Sequence, residues 1–287
     1  MFQYRLAAKE DAGALQHLWE ECFPQDRGAF SDWYFSVIFR PQHVYVAETA
    51  EKIVGSLHAP PITMRVGEKT MPVPYLQGIA TAVSHRNLGI ARDLIYYSLD
   101  ALREQGFTMA VLEPFLPLFY EKLGFRTFAK PQSLEIGKLH DFLRKQQPNS
   151  AFFNTLQTPA APEQLNNIYE VFGKHFYSYP MRDSLRWQHL LYDHKADGGE
   201  LFAAENAYLL YFKAGNTIKI RELAYEQESH AYALLKKVKA KLCTDLFVYT
   251  EQPQAMYYDL QTEQQKGMPV RAFPPYYKQQ NYFNELF

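Results

Sequence analysis

Cysteine is almost missing from this chain. Cys22 and Cys243 are the only two, far apart and each inside a helix-like apolar pattern, so no disulfide framework is expected and both read as buried thiols. Long runs of one charge are missing too: 30 Lys and Arg stand against 31 Asp and Glu, for a net charge of -1. Phosphate contacts supply most of the affinity for nucleic acid, so a chain without a basic face is not expected to bind it. No apolar stretch reaches spanning length, and Met1-Phe2-Gln3-Tyr4-Arg5 lacks the basic-then-apolar order of a signal peptide. A cytoplasmic location without a membrane partner follows as the expectation. There is no His-Glu-x-x-His, no Cys-x-x-Cys and no compact His/Cys cluster, so no metal is expected. Walker and dinucleotide glycine patterns are also missing, which argues against nucleotide hydrolysis.

What is present is apolar and aromatic. Of 287 residues 47% are hydrophobic and 21% charged, a globular composition able to bury sizeable cores, and the length suits two domains better than one. The 21 Tyr and 21 Phe can fill those cores or line a hydrophobic pocket. Apolar residues at helical spacing from Glu10 to Phe23 predict a first amphipathic helix stopped by Pro24. Segments 43–47, 52–57, 61–66 and 70–73 read as an antiparallel meander of short strands. Segment 75–83 reads as a further strand, Gly89 to Gly106 as a strongly amphipathic helix, and 107–112 as a buried strand.

After the polar stretch Lys145–Ser150 the order partly repeats. Leu165, Ile168, Tyr169, Phe172 and Phe176 predict a helix opened by Pro162, segments 201–205 and 217–223 predict strands, Ala231 to Leu242 another helix, and 246–250 a strand. The expected architecture is therefore α+β, with two tandem units at 1–145 and 151–287. Each is a mixed, largely antiparallel twisted sheet flanked by helices.

The chemistry lies between the strand at Tyr75 and its helix, at Arg86-Asn87-Leu88-Gly89-Ile90-Ala91. The first turn of a helix has backbone N–H groups without partners and the positive end of the macrodipole, so a pyrophosphate can sit there on main chain alone. Gly89 permits close approach, Ala91 keeps the helix start uncrowded, and Arg86 can add a charge-assisted contact. The second unit has no such turn. Together, this Arg-x-x-Gly-x-Ala turn and the segment Tyr120-Glu121-Lys122-Leu123-Gly124-Phe125 resemble the GNAT acetyltransferase family over about residues 1–130. The tandem layout is similar to the Eis (enhanced intracellular survival) subgroup, without its sterol-carrier-like third domain.

The resemblance implies an acetyl-CoA-dependent N-acetyltransferase acting on a primary amine of a small molecule or peptide. It implies that Arg86, Asn87, Leu88, Gly89, Ile90, Ala91 and Arg92 hold the pyrophosphate, and that a bulged strand offers the amides of Ile79, Ala80 and Thr81. Tyr120 would protonate the leaving thiolate. Glu113, just before Pro114, is the candidate base, and the carboxylate of Phe287 is a second one by analogy with the subgroup. Phe23, Asp26 and Trp33, with Tyr34 and Phe35, are candidates for the acceptor pocket, since aromatic faces and a carboxylate suit a cation. Two other readings stand beside this one: an acetyl-CoA-binding sensor without turnover, and an aminoacyltransferase-like tandem protein. Exposed aromatics would offer a face for a homo-oligomer.

Overall fold

The computed structural model describes residues 1–129, 161–242, 246–249 and 255–261, which fall into two compact units. The first opens with β1 (Gln3–Leu6) and a short turn in which the Asp11 carboxylate accepts the Ala8 N–H at 2.7 Å and pairs with Arg5 at 2.6 Å. Helix α1 (Ala12–Cys22) buries Leu15, Leu18 and Trp19 at i, i+3, i+4 spacing and stops before Pro24. Helix α2 (Ala29–Trp33) widens into a π-helical turn at Tyr34–Ile38. Then come β2 (Val44–Glu48), β3 (Ile53–His58), β4 (Pro61–Val66), β5 (Lys69–Pro74) and β6 (Gln77–Thr81). Helix α3 (Ile90–Glu104), β7 (Met109–Leu112), α4 (Pro117–Lys122) and β8 (Arg126–Ala129) complete the first half.

Strands β1, β2, β3 and β6 form one antiparallel sheet in that order. Helix α3 buries Ile90, Leu94, Ile95, Leu99 and Leu102 in the core that also holds Tyr45, Val54 and Leu57 of β2 and β3. This is the amphipathic stripe expected from the sequence, and the burial of these side chains holds the helix to the sheet. One thiol departs from the expected burial. Cys22 is half-buried and its Sγ–H reaches the Thr81 carbonyl at 3.4 Å; Cys243 lies outside the described residues.

The second unit begins with α5 (Pro162–Gly173), β9 (Ser178–Pro180) and α6 (Ser184–Ala196), the last capped by the Asp183 carboxylate accepting the Arg186 N–H at 2.7 Å. Strands β10 (Glu200–Ala203), β11 (Ala207–Ala214) and β12 (Thr217–Tyr225), helix α7 (Glu228–Leu242) and β13 (Leu246–Tyr249) follow. The sheet runs β10-β11-β12-β13, antiparallel except for the last pair. Period-two alternation splits β11 between two cores: Leu209 and Tyr211 pack with Leu234, Leu235 and Val238 of α7, while Tyr208 and Leu210 pack with Leu165, Tyr169 and Phe172 of α5 and Trp187 and Leu190 of α6. A fully buried ion pair ties this second core, Arg182 Nη1 and Nη2 donating to Glu222 Oε1 and Oε2 at 2.7 and 2.9 Å, with the Tyr208 hydroxyl donating to the same carboxylate.

Chain order and spatial order part company at β14 (Ala255–Asp259). This strand lies between β7 and β8 of the first unit, antiparallel to β7 with Met256 opposite Leu112 and Tyr258 opposite Ala110. Met256, Tyr258 and Leu260 join the first core, and the Arg103 Nε donates to the Leu260 carbonyl at 2.9 Å. A single cut near 145–151 therefore does not separate the units in space: the first takes in residues 1–64, 70–128 and 255–261. Without β14, strand β7 would present an open edge there. We predict that Met256→Ala, which empties a site with 0% exposure, lowers stability by about 2–5 kcal/mol. Hydrogen exchange should locate the loss in the Ala110–Leu112 amides of the first unit rather than in β11.

Candidate active site

The site is built where β6 leaves β7. They meet just before β6 begins and near the end of β7, by a parallel bridge of Tyr75 with Val111 and by the Leu76 N–H donating to the Val111 carbonyl at 2.8 Å. From there β6 pairs with β3, while β7 pairs with β14 along its length, so the adjacent strands belong to different sheets. The Ala82 N–H donates to the Val54 carbonyl at 2.9 Å. Since antiparallel bonding alternates along a strand, Ala80, in register with Ser56, also faces β3 and the amides of Ile79 and Thr81 face the open edge. Of the three amides expected from the sequence, Ala80 is thus turned to the sheet.

The register of β6 slips between its pairings of Gln77 with His58 and Ala80 with Ser56, so Gly78 and Ile79 stand against Leu57 alone. Such an extra residue is a β-bulge. Gly78 has φ +54, and a Cβ there would lie 2.3 Å from Trp19 Cζ3 and 3.1 Å from His58 Cδ2, so neither the backbone nor the space accepts a side chain. A bulge is expected from the family resemblance, and Gly78, a glycine inside a strand pattern, is the local signal that could have located it.

From Thr81 the chain turns through Val83–His85 into α3. Gly89 is the N-cap at φ +81, ψ 0, and Asn87 is also left-handed at φ +65. This backbone aims successive N–H groups outward: among the described residues, the amides of Asn87 through Arg92 donate to no protein acceptor, the first helical bond being from Asp93 N to the Gly89 carbonyl at 3.1 Å. These are the orphan donors of a helix start, joined to the positive end of the macrodipole. Arg86 lies beside them, but its Nε donates to the Thr81 carbonyl at 3.3 Å, so it braces the exit of β6. Arg92 pairs with Asp93 at 2.8 Å, which offsets the acidic residue in the first turn. His85 Nδ1 shares a hydrogen bond with the Ser84 hydroxyl at 2.8 Å.

Tyr120 lies on α4, whose end explains the spacing of the segment that follows. The Tyr120 carbonyl accepts the N–H groups of Leu123 and Phe125, both at 3.0 Å, Gly124 supplies the left-handed residue at φ +98, and Phe125 anchors the turn at 2% exposure. The Tyr120 ring meets Phe125 edge-on at 5.7 Å. Burial pushes its phenol up to about 12, so the hydroxyl keeps its proton at neutral pH. Glu113 is half-buried directly after β7. Phe287 lies outside the described residues.

The acceptor-pocket candidates form one aromatic cluster. Trp19 stacks on Tyr34 at 4.7 Å and meets Phe23 and Phe35 at 5.1 and 6.0 Å, while Trp33 packs on Phe30 at 5.8 Å. Asp26 accepts the Trp19 indole N–H at 2.9 Å, which makes it an anchor for the cluster. Sequence reasoning missed His58 and Gln77. Both are buried, with the Tyr34 hydroxyl 2.9 Å from His58 Nδ1 and the Gln77 Nε2 donating to that hydroxyl at 3.3 Å. Among the described residues there is no cluster of His, Cys, Asp or Glu that could hold a metal, and no helix long and apolar enough to cross a membrane.

Residues 3–128 match the family model for the Acetyltransferase (GNAT) domain. The match covers less than half of the chain; over those residues the first half is similar to a GNAT acetyltransferase domain, which supports an acyltransferase. No curated protein compared with the chain matches it. Among solved structures, a GCN5-related N-acetyltransferase from Anabaena variabilis is 17% identical with TM-score 0.69, over 91% of this chain and 73% of that one. A probable N-acyltransferase from Enterococcus faecalis is 14% identical with TM-score 0.70, over the same shares of 91% and 73%. Eis1 from Mycobacterium abscessus is 16% identical with TM-score 0.61, over 88% of this chain and 66% of that one. At such identities the likeness is one of fold, and it extends through both units.

The burial of His58 gives a pH prediction. Desolvation lowers its pKa from 6.5 to about 3, so the unfolded chain takes up a proton below about pH 6.5 that the native protein refuses. The stabilisation is complete above 6.5 and is lost as pH falls toward 3. His194 of the second unit, lowered to about 4 by burial and by Arg221, adds to the loss over the same range. The His58 ring resonances should stay at their neutral positions down to about pH 4, and His58→Asn should flatten the fall of the thermal midpoint between pH 6.5 and 4. A ring that titrates near 6.5 in the folded protein would contradict this.

Proposed function

We propose that the protein is an acetyl-CoA-dependent N-acetyltransferase that moves an acetyl group to a primary amine of a small molecule or peptide by direct attack, with Tyr120 as general acid. The observation that carries this reading is the run of unbonded amides from Asn87 to Arg92 beside the parting of β6 from β7. Donors that fold into a helix start with no acceptor suit the pyrophosphate of coenzyme A. At Gly89 a Cβ would stand 3.1 Å from Arg92 Nη2, so the bare backbone leaves the approach free. Bound there, acetyl-CoA would supply the acetyl group as a thioester.

The chain's own residues then divide the work. Amides on the open edge of β6, Ile79 and Thr81, would receive the thioester carbonyl and polarise it. The acceptor must arrive as a neutral amine, and Glu113 at the end of β7 is the base assigned to its proton. As the carbon–nitrogen bond forms and the carbon–sulfur bond breaks, the Tyr120 hydroxyl gives its proton to the sulfur. A phenol held fully protonated by burial is suited to that step. Phe23 and Trp33 would offer aromatic faces to the acceptor. Eis-like tandem organisation, a cytoplasmic location and independence of metal go with this reading.

Cofactor chemistry is assigned to the first unit alone. The corresponding helix of the second, α7, has Glu226 and Glu228 at its start where α3 has Arg86, and two of its amides, His230 and Ala231, already bond the Gln227 carbonyl. Strands β12 and β13 are bonded in register at each position from Thr217 to Ile220. Both features oppose a pyrophosphate and an open strand edge there.

Thiol release from acetyl-CoA against a panel of amines tests the reaction: we expect turnover on at least one amine and a loss of roughly 10²-fold or more in kcat for Tyr120→Phe. Binding without turnover on every amine would favour the sensor. In calorimetric titration Gly89→Glu should abolish acetyl-CoA binding, and the wild type should bind one equivalent. Unchanged affinity in the variant would remove the proposed loop, and two equivalents would contradict the assignment to one unit.

A further inference from the structure

Between α1, the π-helical turn and the bulge of β6 lies a polar triad that the proposed reaction does not use. The Tyr34 hydroxyl, at 1% residue exposure, receives the Gln77 Nε2–H at 3.3 Å and lies 2.9 Å from His58 Nδ1. With the hydroxyl donating to His58 Nδ1, the imidazole proton stands on Nε2. Among the described residues His58 Nε2 and Gln77 Oε1 have no hydrogen-bond partner. Leaving such atoms buried costs free energy, so the triad is kept at a price in stability.

Its position explains what it does. His58 and Gln77 face each other across β3 and β6 at the last regular pairing before the register slips. A single hydroxyl therefore ties the two strands at the edge of the bulge. The Tyr34 ring is stacked on Trp19 at 4.7 Å, and Trp19 fills the space that a Cβ on Gly78 would need. On the far side of the slip the Ser56 hydroxyl donates to the Gly78 carbonyl at 3.3 Å. The bulge is thus clamped from one face by an aromatic ring and at its two ends by side-chain hydrogen bonds. The neighbours packed on His58, namely Trp19, Tyr34, Phe35 and Phe39, are uncharged at neutral pH.

We propose that Tyr34, His58 and Gln77 are positioning residues that fix the bulge at Gly78–Ile79, and through it hold the Ile79 and Thr81 amides where the thioester carbonyl is to be received. The inference rests on the proposed acetyl transfer for its catalytic consequence, but the geometry it describes belongs to the protein alone. A donor displaced from the carbonyl loses transition-state stabilisation, while the pyrophosphate contacts at α3 are untouched. The effect therefore falls on kcat and spares binding. A buried histidine that stays neutral through the physiological range serves as a fixed acceptor for Tyr34, not as a base.

The test uses Tyr34→Phe, which removes one oxygen, and the pair His58→Asn and His58→Leu, of which Asn keeps an acceptor near Nδ1. Tyr208→Phe, which removes a buried hydroxyl from the second unit, is the control for lost stability. With acetyl-CoA and the best amine of the panel, Tyr34→Phe and His58→Leu should lose about tenfold or more in kcat, less than the 10²–10³ of deleting a donor outright. KM for acetyl-CoA should stay within about twofold, His58→Asn should recover much of the loss, and Tyr208→Phe should match wild type. The acid limb of the kcat/KM profile should be unmoved in every variant. Amide exchange at Ala80 and Ala82, which face β3, should quicken in Tyr34→Phe and not in Tyr208→Phe, and this holds whether or not any amine is acetylated. Equal kcat in folded Tyr34→Phe, an equal loss in Tyr208→Phe, or an acid limb abolished in His58→Asn would each overturn the proposal. A wild type without turnover would instead count against the reaction, with the exchange data still deciding the role of the triad.

Discussion

The constraint on which the first unit turns is that two adjacent parallel strands cannot both be fully bonded to one another and leave backbone donors free for a ligand. Among the described residues β6 and β7 are joined at Tyr75 and Leu76, and each strand has another partner, β3 for β6 and β14 for β7. Strand β6 keeps the antiparallel β3 on one side and leaves its other edge open, while β7 takes β14. The helix that follows β6 then starts at the mouth of the parting, and its amide-rich first turn points outward because Gly89 and Asn87 adopt left-handed backbone. Strand parting, glycine turn and helix start are a single device: none would present donors without the other two.

Packing makes that device rigid. Helix α3 is locked to the sheet by a stripe of fully buried aliphatic residues, so the donors at its start are carried on an immobile rod. The bulge is backed by Trp19, itself anchored through its indole N–H to Asp26. In this aromatic cluster Trp19 of the first helix and Tyr34, a candidate for the acceptor pocket, stack together against the bulge. The Asp26 carboxylate, a candidate for the acceptor, accepts the Trp19 indole N–H.

Much of this was legible in the sequence, and the parts that were not have physical reasons. The helical stripe from Ile90 to Leu102 and the Arg86–Ala91 turn could be read because both are local: period and dihedral demand appear within a dozen residues. Tyr120 and Gly124 could be paired because one helical turn separates them. Strand β11 was passed over, since Ala207–Ala214 is a run of apolar residues in which the alternation between two cores is invisible until both exist. The triad of Tyr34, His58 and Gln77 joins three elements far apart in sequence, and a histidine at the end of a strand carries no sign of what it will meet. Strand β14 lay hidden for the same reason, its partner being some 150 residues earlier.

That strand also sets an order of events during synthesis. A ribosome releases the helix, the glycine turn and both strands of the parting well before Ala255–Asp259 emerges, and until then the middle place between β7 and β8 has no occupant. Domains that are contiguous in sequence can mature as they leave the ribosome. Here the first unit is compelled to wait for the second to pass through, so the two mature as one product. Neither half, cut from the gene at the obvious linker, would carry all the strands of a working whole.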